Sequence, residues 1–228
     1  MPTQRRTTKR TAAAAKRASV TTADAETVEL TGPPGRLTTT VTVENATESR
    51  IAVRTPTLHL QGREPVAGSG AAVIAPGATA AVPVTFPLES STAPGTYAAE
   101  LEVSGLRRSA VVTVLAEVSM DVAPSTILAV PGRQETVIAV TNDGNVPVPL
   151  ARRAIARTDD GGPEPGPDVA LVLEAAVTLE PGASLTLNGV LEVPDELDPA
   201  RRHTATIPVG VADLDVIILP RSASETKS

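Results

Sequence analysis

PGRLTTTVTVEN at residues 34–45 and PGRQETVIAVTN at residues 131–142 decide how this chain is read. Each opens on a Pro-Gly turn, runs through alternating positions and closes on an asparagine. In the first copy Leu37, Thr39, Val41 and Val43 fall on one side of a period of two. That period places side chains alternately on opposite faces of a strand, so the stretch reads as a half-buried strand and not as a helix. The second copy answers it with Ile138 and Val140 before Asn142, 97 positions further on.

The repeat extends beyond these two stretches. Pro76-Gly77-Ala78 returns as Pro181-Gly182-Ala183, an offset of 105, and Ala99, Leu101 and Val103 return as Ala205, Ile207 and Val209, an offset of 106. The growing offset assigns the surplus residues to the segment from Arg157 to Asp168, which has the Asp, Gly and Pro composition of an exposed loop. A period of about 100 residues is the size of a domain and too long for a solenoid repeat. Further alternation at Val82, Val84 and Phe86, at Tyr97, and in the runs 137–140, 185–187, 190–193, 207–211 and 214–219 completes an all-β pattern. Helical periodicity is absent, which points to sandwiches and away from a parallel α/β sheet. The expected organisation is a disordered basic arm at 1–22, sandwiches at 23–118 and 119–220, and a disordered tail at 221–228. The junction near Val118 to Pro124 carries no flexible linker.

Composition narrows the chemistry. Of 228 residues 41% are hydrophobic, but Phe86 and Tyr97 are the only aromatics, so the cores are aliphatic. There is no cysteine, which removes disulfides, thiolate nucleophiles and thiolate metal sites. No apolar run approaches the roughly 20 residues of a membrane-spanning helix. The opening MPTQRRTTKRTAAAAKRASV carries the pair Arg5-Arg6 but no apolar segment after it, so a cleaved export signal is not expected. Cytoplasmic residence is the expectation, with release or surface exposure by another route left open. The net charge of −6 hides an asymmetry: Arg5, Arg6, Lys9, Arg10, Lys16 and Arg17 sit among the first 20 residues without an acid. The remainder is therefore strongly acidic.

Pro76-Gly77 with Val82, Val84 and Phe86, then Pro94-Gly95-Thr96-Tyr97 with Ala99, Leu101 and Val103, resembles the bacterial immunoglobulin-like NPCBM-associated family of some glycosidases and surface proteins. The run from Val140 to Asn145 resembles an early turn of that family. The resemblance implies two tandem immunoglobulin-like sandwiches, best matched in the first, and in such domains a Tyr at the place of Tyr97 has a structural role, the tyrosine corner. His203 occupies the matching place in the second copy. These signatures specify a fold and no activity.

Catalytic constellations are missing. Gly68-Ser69-Gly70 lacks the full nucleophile-elbow spacing, and His59 and His203 fall in different halves, so no Ser-His pair is expected. Two separated histidines do not make a zinc site. Asp159, Asp160, Glu164 and Asp168 gather on the loop 157–168, whose prolines 163, 165 and 167 restrict wrapping about calcium; a solvated acidic loop is favoured and calcium is left open. Two aromatics are too few for a sugar platform. The arm's six cations form the candidate electrostatic contact. With no aromatic to stack bases and an acidic body, nucleic acid is not the expected partner, whereas self-association of arm with acidic body is open. The expected function is a non-catalytic structural or adaptor protein, without a cofactor, that presents sheet edges and loops to a protein partner. A larger assembly such as a phage-tail-like or contractile injection system would suit it. The alternative is an accessory module for cell-envelope polysaccharide or a glycoside-active enzyme.

Overall fold

The computed structural model describes residues 27–159, 161, 166–198 and 200–220. The arm with Arg5, Arg6, Lys9, Arg10, Lys16 and Arg17, the tail 221–228, and Asp160 and Glu164 of the acidic loop lie outside the described residues.

Apart from one 3-10 turn at Pro34–Arg36, the regular structure of the described residues is β. The first strands are β1 (Val28–Gly32), β2 (Leu37–Glu44), β3 (Ile51–Val53), β4 (Thr57–Leu60), β5 (Val66–Ala67), β6 (Ala72–Ile74), β7 (Thr79–Phe86), β8 (Gly95–Val103) and β9 (Leu106–Val114). There follow β10 (Met120–Ala123), β11 (Thr126–Ala129), β12 (Gly132–Asn142), β13 (Val148–Leu150), β14 (Arg153–Arg157), β15 (Asp168–Leu173), β16 (Val177–Leu179), β17 (Ser184–Val193), β18 (His203–Val209) and β19 (Ala212–Ile218). The chain forms two immunoglobulin-like β-sandwiches. It divides into one unit of residues 27–30, Thr38–Phe86 and Tyr97–Val112, and a second of Thr31–Leu37, Pro87–Thr96 and 113–220.

The first sandwich is built on a seven-stranded sheet in the order β5-β4-β8-β9-β1-β2-β7, with β3 and β6 paired beside it. A bridge between Ser69, just past β5, and Thr85 on β7 joins the two ends of that order, so the sheet closes on itself. Closure removes the free edges of an open sheet. Its inward residues alternate as the sequence requires: Val41 and Val43, Val82, Val84 and Phe86, Leu101 and Val103 are all buried. Phe86 is the ring that the core encloses. Tyr97 stands half-buried on β8, with Arg63 Cζ 5.5 Å from its ring centroid, so the cation covers a face that the core does not.

The second sandwich splits into a five-stranded sheet, β10-β12-β17-β15-β14, a three-stranded sheet, β11-β19-β18, and the pair β13-β16. Ile138, Leu171 and Leu191 from the first of these meet Ile207, Leu214 and Val216 from the second in one aliphatic core, with Val148 and Leu179 at its side. The apolar runs at 185–187 and 190–193 belong to one strand, β17. Val211, at the end of the run from Ile207, falls instead in the two-residue turn between β18 and β19 and is 56% exposed. His203, at the position matching Tyr97, is buried, its Nε2 3.2 Å from the Asp198 carbonyl.

The asparagines that close the two opening stretches do the same work in both sandwiches. Asn45 Nδ2 donates to the carbonyls of Ser49 at 2.7 Å and Ile74 at 3.0 Å, and its Oδ1 accepts from Thr47 N at 3.0 Å. Asn142 Nδ2 donates to Val146 and Leu179, each at 2.9 Å, and its Oδ1 accepts from Gly144 N at 3.0 Å. Their main chains are wired alike to the Pro-Gly turns: Gly77 N donates to Asn45 O and Gly182 N to Asn142 O. Both glycines need positive φ, +69° and +73°, which a side chain would strain. Each buried amide thus satisfies backbone groups of the loop that follows it and ties that loop to the end of a strand, β6 or β16.

Candidate protein-binding edges

Ser69 and His59, weighed in the sequence for catalysis, each make defined contacts in the fold. Ser69 exchanges main-chain bonds with Thr85, 2.8 Å and 2.9 Å, and lies in a sheet and not on an elbow. Its flanking glycines are there for close packing: a Cβ on Gly68 would come within 2.6 Å of the Phe86 ring, and one on Gly70 within 2.9 Å of the Pro83 carbonyl. His59 Nε2 meets Glu102 Oε2 at 3.1 Å across the β4–β8 pair, and Arg107 Nε donates to the same oxygen at 3.0 Å. The hydrogen bond from Arg107, then that from His59, holds the Glu102 carboxyl below its ordinary range. On the acidic loop, Asp159 Oδ1 accepts from Gly161 N at 2.7 Å and Asp168 lies 3.7 Å from Arg157. Among the described residues no three metal-ligating side chains converge.

What remains are strand edges. In the second sandwich the terminal strands of its two larger sheets are β10, β14, β11 and β18. Of these, β11 presents Leu128, 63% exposed, and β14 presents Ile155, 46% exposed. A terminal strand has one row of main-chain donors and acceptors without a partner strand, and an exposed aliphatic beside it adds apolar area.

The edges of β14 and β18 meet in a particular way. Asp159 N donates to Thr204 O at 2.7 Å and Thr204 N to Asp159 O at 2.9 Å, an isolated bridge between the chain just past β14 and β18. In an antiparallel pair, alternate residues bond to alternate sides. On β14 the even positions serve β15, because Leu173 N bonds Arg152 O and Thr158 N bonds Pro167 O. The N–H and C=O groups of Arg153, Ile155 and Arg157 therefore face β18. By the same count Thr204, Thr206 and Pro208 face β14, and continuing the bridge's register would set Ile155 opposite Pro208. Proline has no N–H to give, so the ladder cannot be completed there. The two strands run side by side without a completed ladder, and at the Arg153 end of β14 lies a cavity of about 330 Å³. Its lining includes Leu150, Ala154, Ile155, Leu171, Leu173 and Pro208.

Sequence reasoning singled out the loop that ends in Asp168 but not the edge beside it. The signal was present as Pro208 inside an otherwise alternating run, since a proline in a strand marks an edge.

No protein-family model matches the chain, and no curated protein matches it. Among solved structures it is similar to the CupB2 chaperone of Pseudomonas aeruginosa, at 10% identity over 84% of this chain and 96% of that one, with a TM-score of 0.26. It is similar also to the E. coli chaperone DraB, at 8% identity over 84% and 92%, TM-score 0.29. A third likeness is to the calcium binding domain CBD12 of CALX1.1, at 11% identity over 79% and 76%, TM-score 0.26. None of these likenesses assigns a role to this chain.

Proposed function

We propose that this chain is a non-catalytic structural or adaptor protein whose second sandwich offers strand edges to a protein partner, as a part of a larger assembly. The observation that carries the reading is the terminal strand β11, last in its sheet, with Leu128 exposed beside its unpaired edge. A partner strand on that edge would gain main-chain hydrogen bonds and cover apolar surface together. The main-chain pairing of Ser69, the distance in sequence between the two histidines and the bond of His203 to the Asp198 carbonyl support the non-catalytic part.

Affinity purification of the full chain from its native host, followed by amide exchange on the recovered complex, tests this. Slowed exchange along β11 is the expected result. A complex that leaves all terminal strands exchanging at their free rate would overturn it, as would turnover of an ester, peptide or glycoside by the pure protein that a single Ser, Asp or Glu substitution abolishes.

A further inference from the structure

Resting on that edge-binding reading, we infer that the open edge of β11 takes the same edge of a second copy of this chain, the two strands running antiparallel about a two-fold axis at Ile127. The main chain shows which groups are open. Asp215 N donates to Ser125 O and Leu219 N to Ala129 O, each at 2.9 Å, so the odd positions of β11 serve its parallel neighbour β19. In a ladder alternate residues bond to alternate sides, and Thr126 and Leu128 therefore turn their N–H and C=O groups away from β19. Among the described residues no other strand runs alongside them, and the next such carbonyl, that of Val130, already accepts from Gln134 Nε2.

These two residues are placed symmetrically about Ile127. With the axis there, Thr126 of each copy faces Leu128 of the other, and each such pair exchanges N–H···O=C bonds in both directions. Every open group is used. The two sheets β11-β19-β18 then join into one. On its outer face the Leu128 side chains of the two copies lie diagonal to each other and within reach, and the half-buried Ile217 of β19 stands beside each. The exposed Val130 and Leu219 extend this aliphatic surface.

Charge favours a second copy as the occupant. Exposed edges are commonly kept apart by charged side chains, and a charge beside a two-fold axis meets its own like. Residues 122–131 carry none, although the chain that bears them is acidic beyond its first 20 residues. An edge without charge has nothing with which to attract an unlike partner electrostatically, whereas its pair of open residues matches itself.

Sedimentation velocity of the full chain from about 1 µM to about 500 µM, with amide exchange at both ends of that range, provides the test. Expected is a concentration-dependent dimer in which the Thr126 and Leu128 amides slow as protein is added, while those of Ile127 and Ala129, already bonded to β19, change less. Leu128→Lys should weaken dimerisation by about tenfold or more. At a position 63% exposed it should keep the melting transition. Val137→Lys, which adds the same charge on the outer face of the other sheet, should leave dimerisation unchanged. Dimers that Leu128→Lys leaves as tight as the parent, that dissociate at high salt, or in which Thr126 and Leu128 exchange at their free rate overturn the inference. A chain that stays monomeric throughout also overturns it. Slowed exchange of these two amides in the complex recovered from the host would then keep the edge-binding reading with another protein as the partner, and no slowing in either preparation removes both.

Discussion

In the first sandwich β4 is zipped to β8 from Leu60↔Ala99 to Thr57↔Glu102; in the second, the strand at the same place in the repeat, β14, meets β18 through the Asp159↔Thr204 bridge. The registers correspond. Gln61 N donates to Ala98 O, as Asp159 N donates to Thr204 O, and stepping along both ladders brings Glu102 and Pro208 to the same position. One side has a residue with an N–H at that point and a closed sheet. The other has proline, smaller inward residues and a cavity. Two copies of one folding pattern thus differ at their surface through a few positions, because a ladder fails where one donor is missing while the core beneath it does not.

The comparison can be attacked where the copies are expected to agree. Asn142→Ala would strip the Val146 and Leu179 carbonyls and the Gly144 N–H of their partner, and Asn45→Ala would do the equivalent in the first sandwich. With buried groups left unsatisfied at about 1–3 kcal/mol each, urea unfolding should show a loss of about 3 kcal/mol or more for each variant. A large loss in one and none in the other would show that the shared wiring is not equally important.

It can be sharpened where the copies differ. Glu102→Pro places the second sandwich's residue in the first, and should cost about 2 kcal/mol through the lost ladder bond. The Thr57 edge should then exchange its amides faster. Unchanged exchange at β4 would mean that proline alone does not open such an edge, and that the alanines of β14 are the stronger cause.

The smallest expected effect is on acid stability. Glu102 has its folded pKa depressed, first by Arg107 and then by His59, so its stabilising contribution is present above the unfolded carboxylate pKa and is lost as pH falls through the folded value. Pro208 has no counterpart to this. Glu102→Gln should therefore lower the melting temperature of the first sandwich slightly at about pH 7 and leave it unchanged at about pH 3, which flattens the acid limb, measured by thermal melts across that range. An acid limb identical to the parent's would show that the His59–Glu102–Arg107 cluster adds nothing.

The all-β class, the strands and the internal repeat were legible because alternation and Pro-Gly turns are local properties, written within ten or so residues of each other. Phe86, Tyr97 and the aliphatic positions of β2, β7, β8 and β18 were read in the right phase for the same reason, but how far the Tyr97 ring is enclosed was not legible, since its cover by Arg63 depends on a distant loop. Asn45 and Asn142 were visible as recurring letters, but their role as bonding hubs needed the positions of Ile74 and Leu179, 29 and 37 residues away in the chain. By itself the sequence determined where strands lie and which faces they bury. Only the tertiary structure decided which strand lies beside which and which edge stays open, because pairing is a contact between segments far apart in sequence: Pro208 marks an edge, but that its missing donor points at Ile155 follows only once β14 is its neighbour.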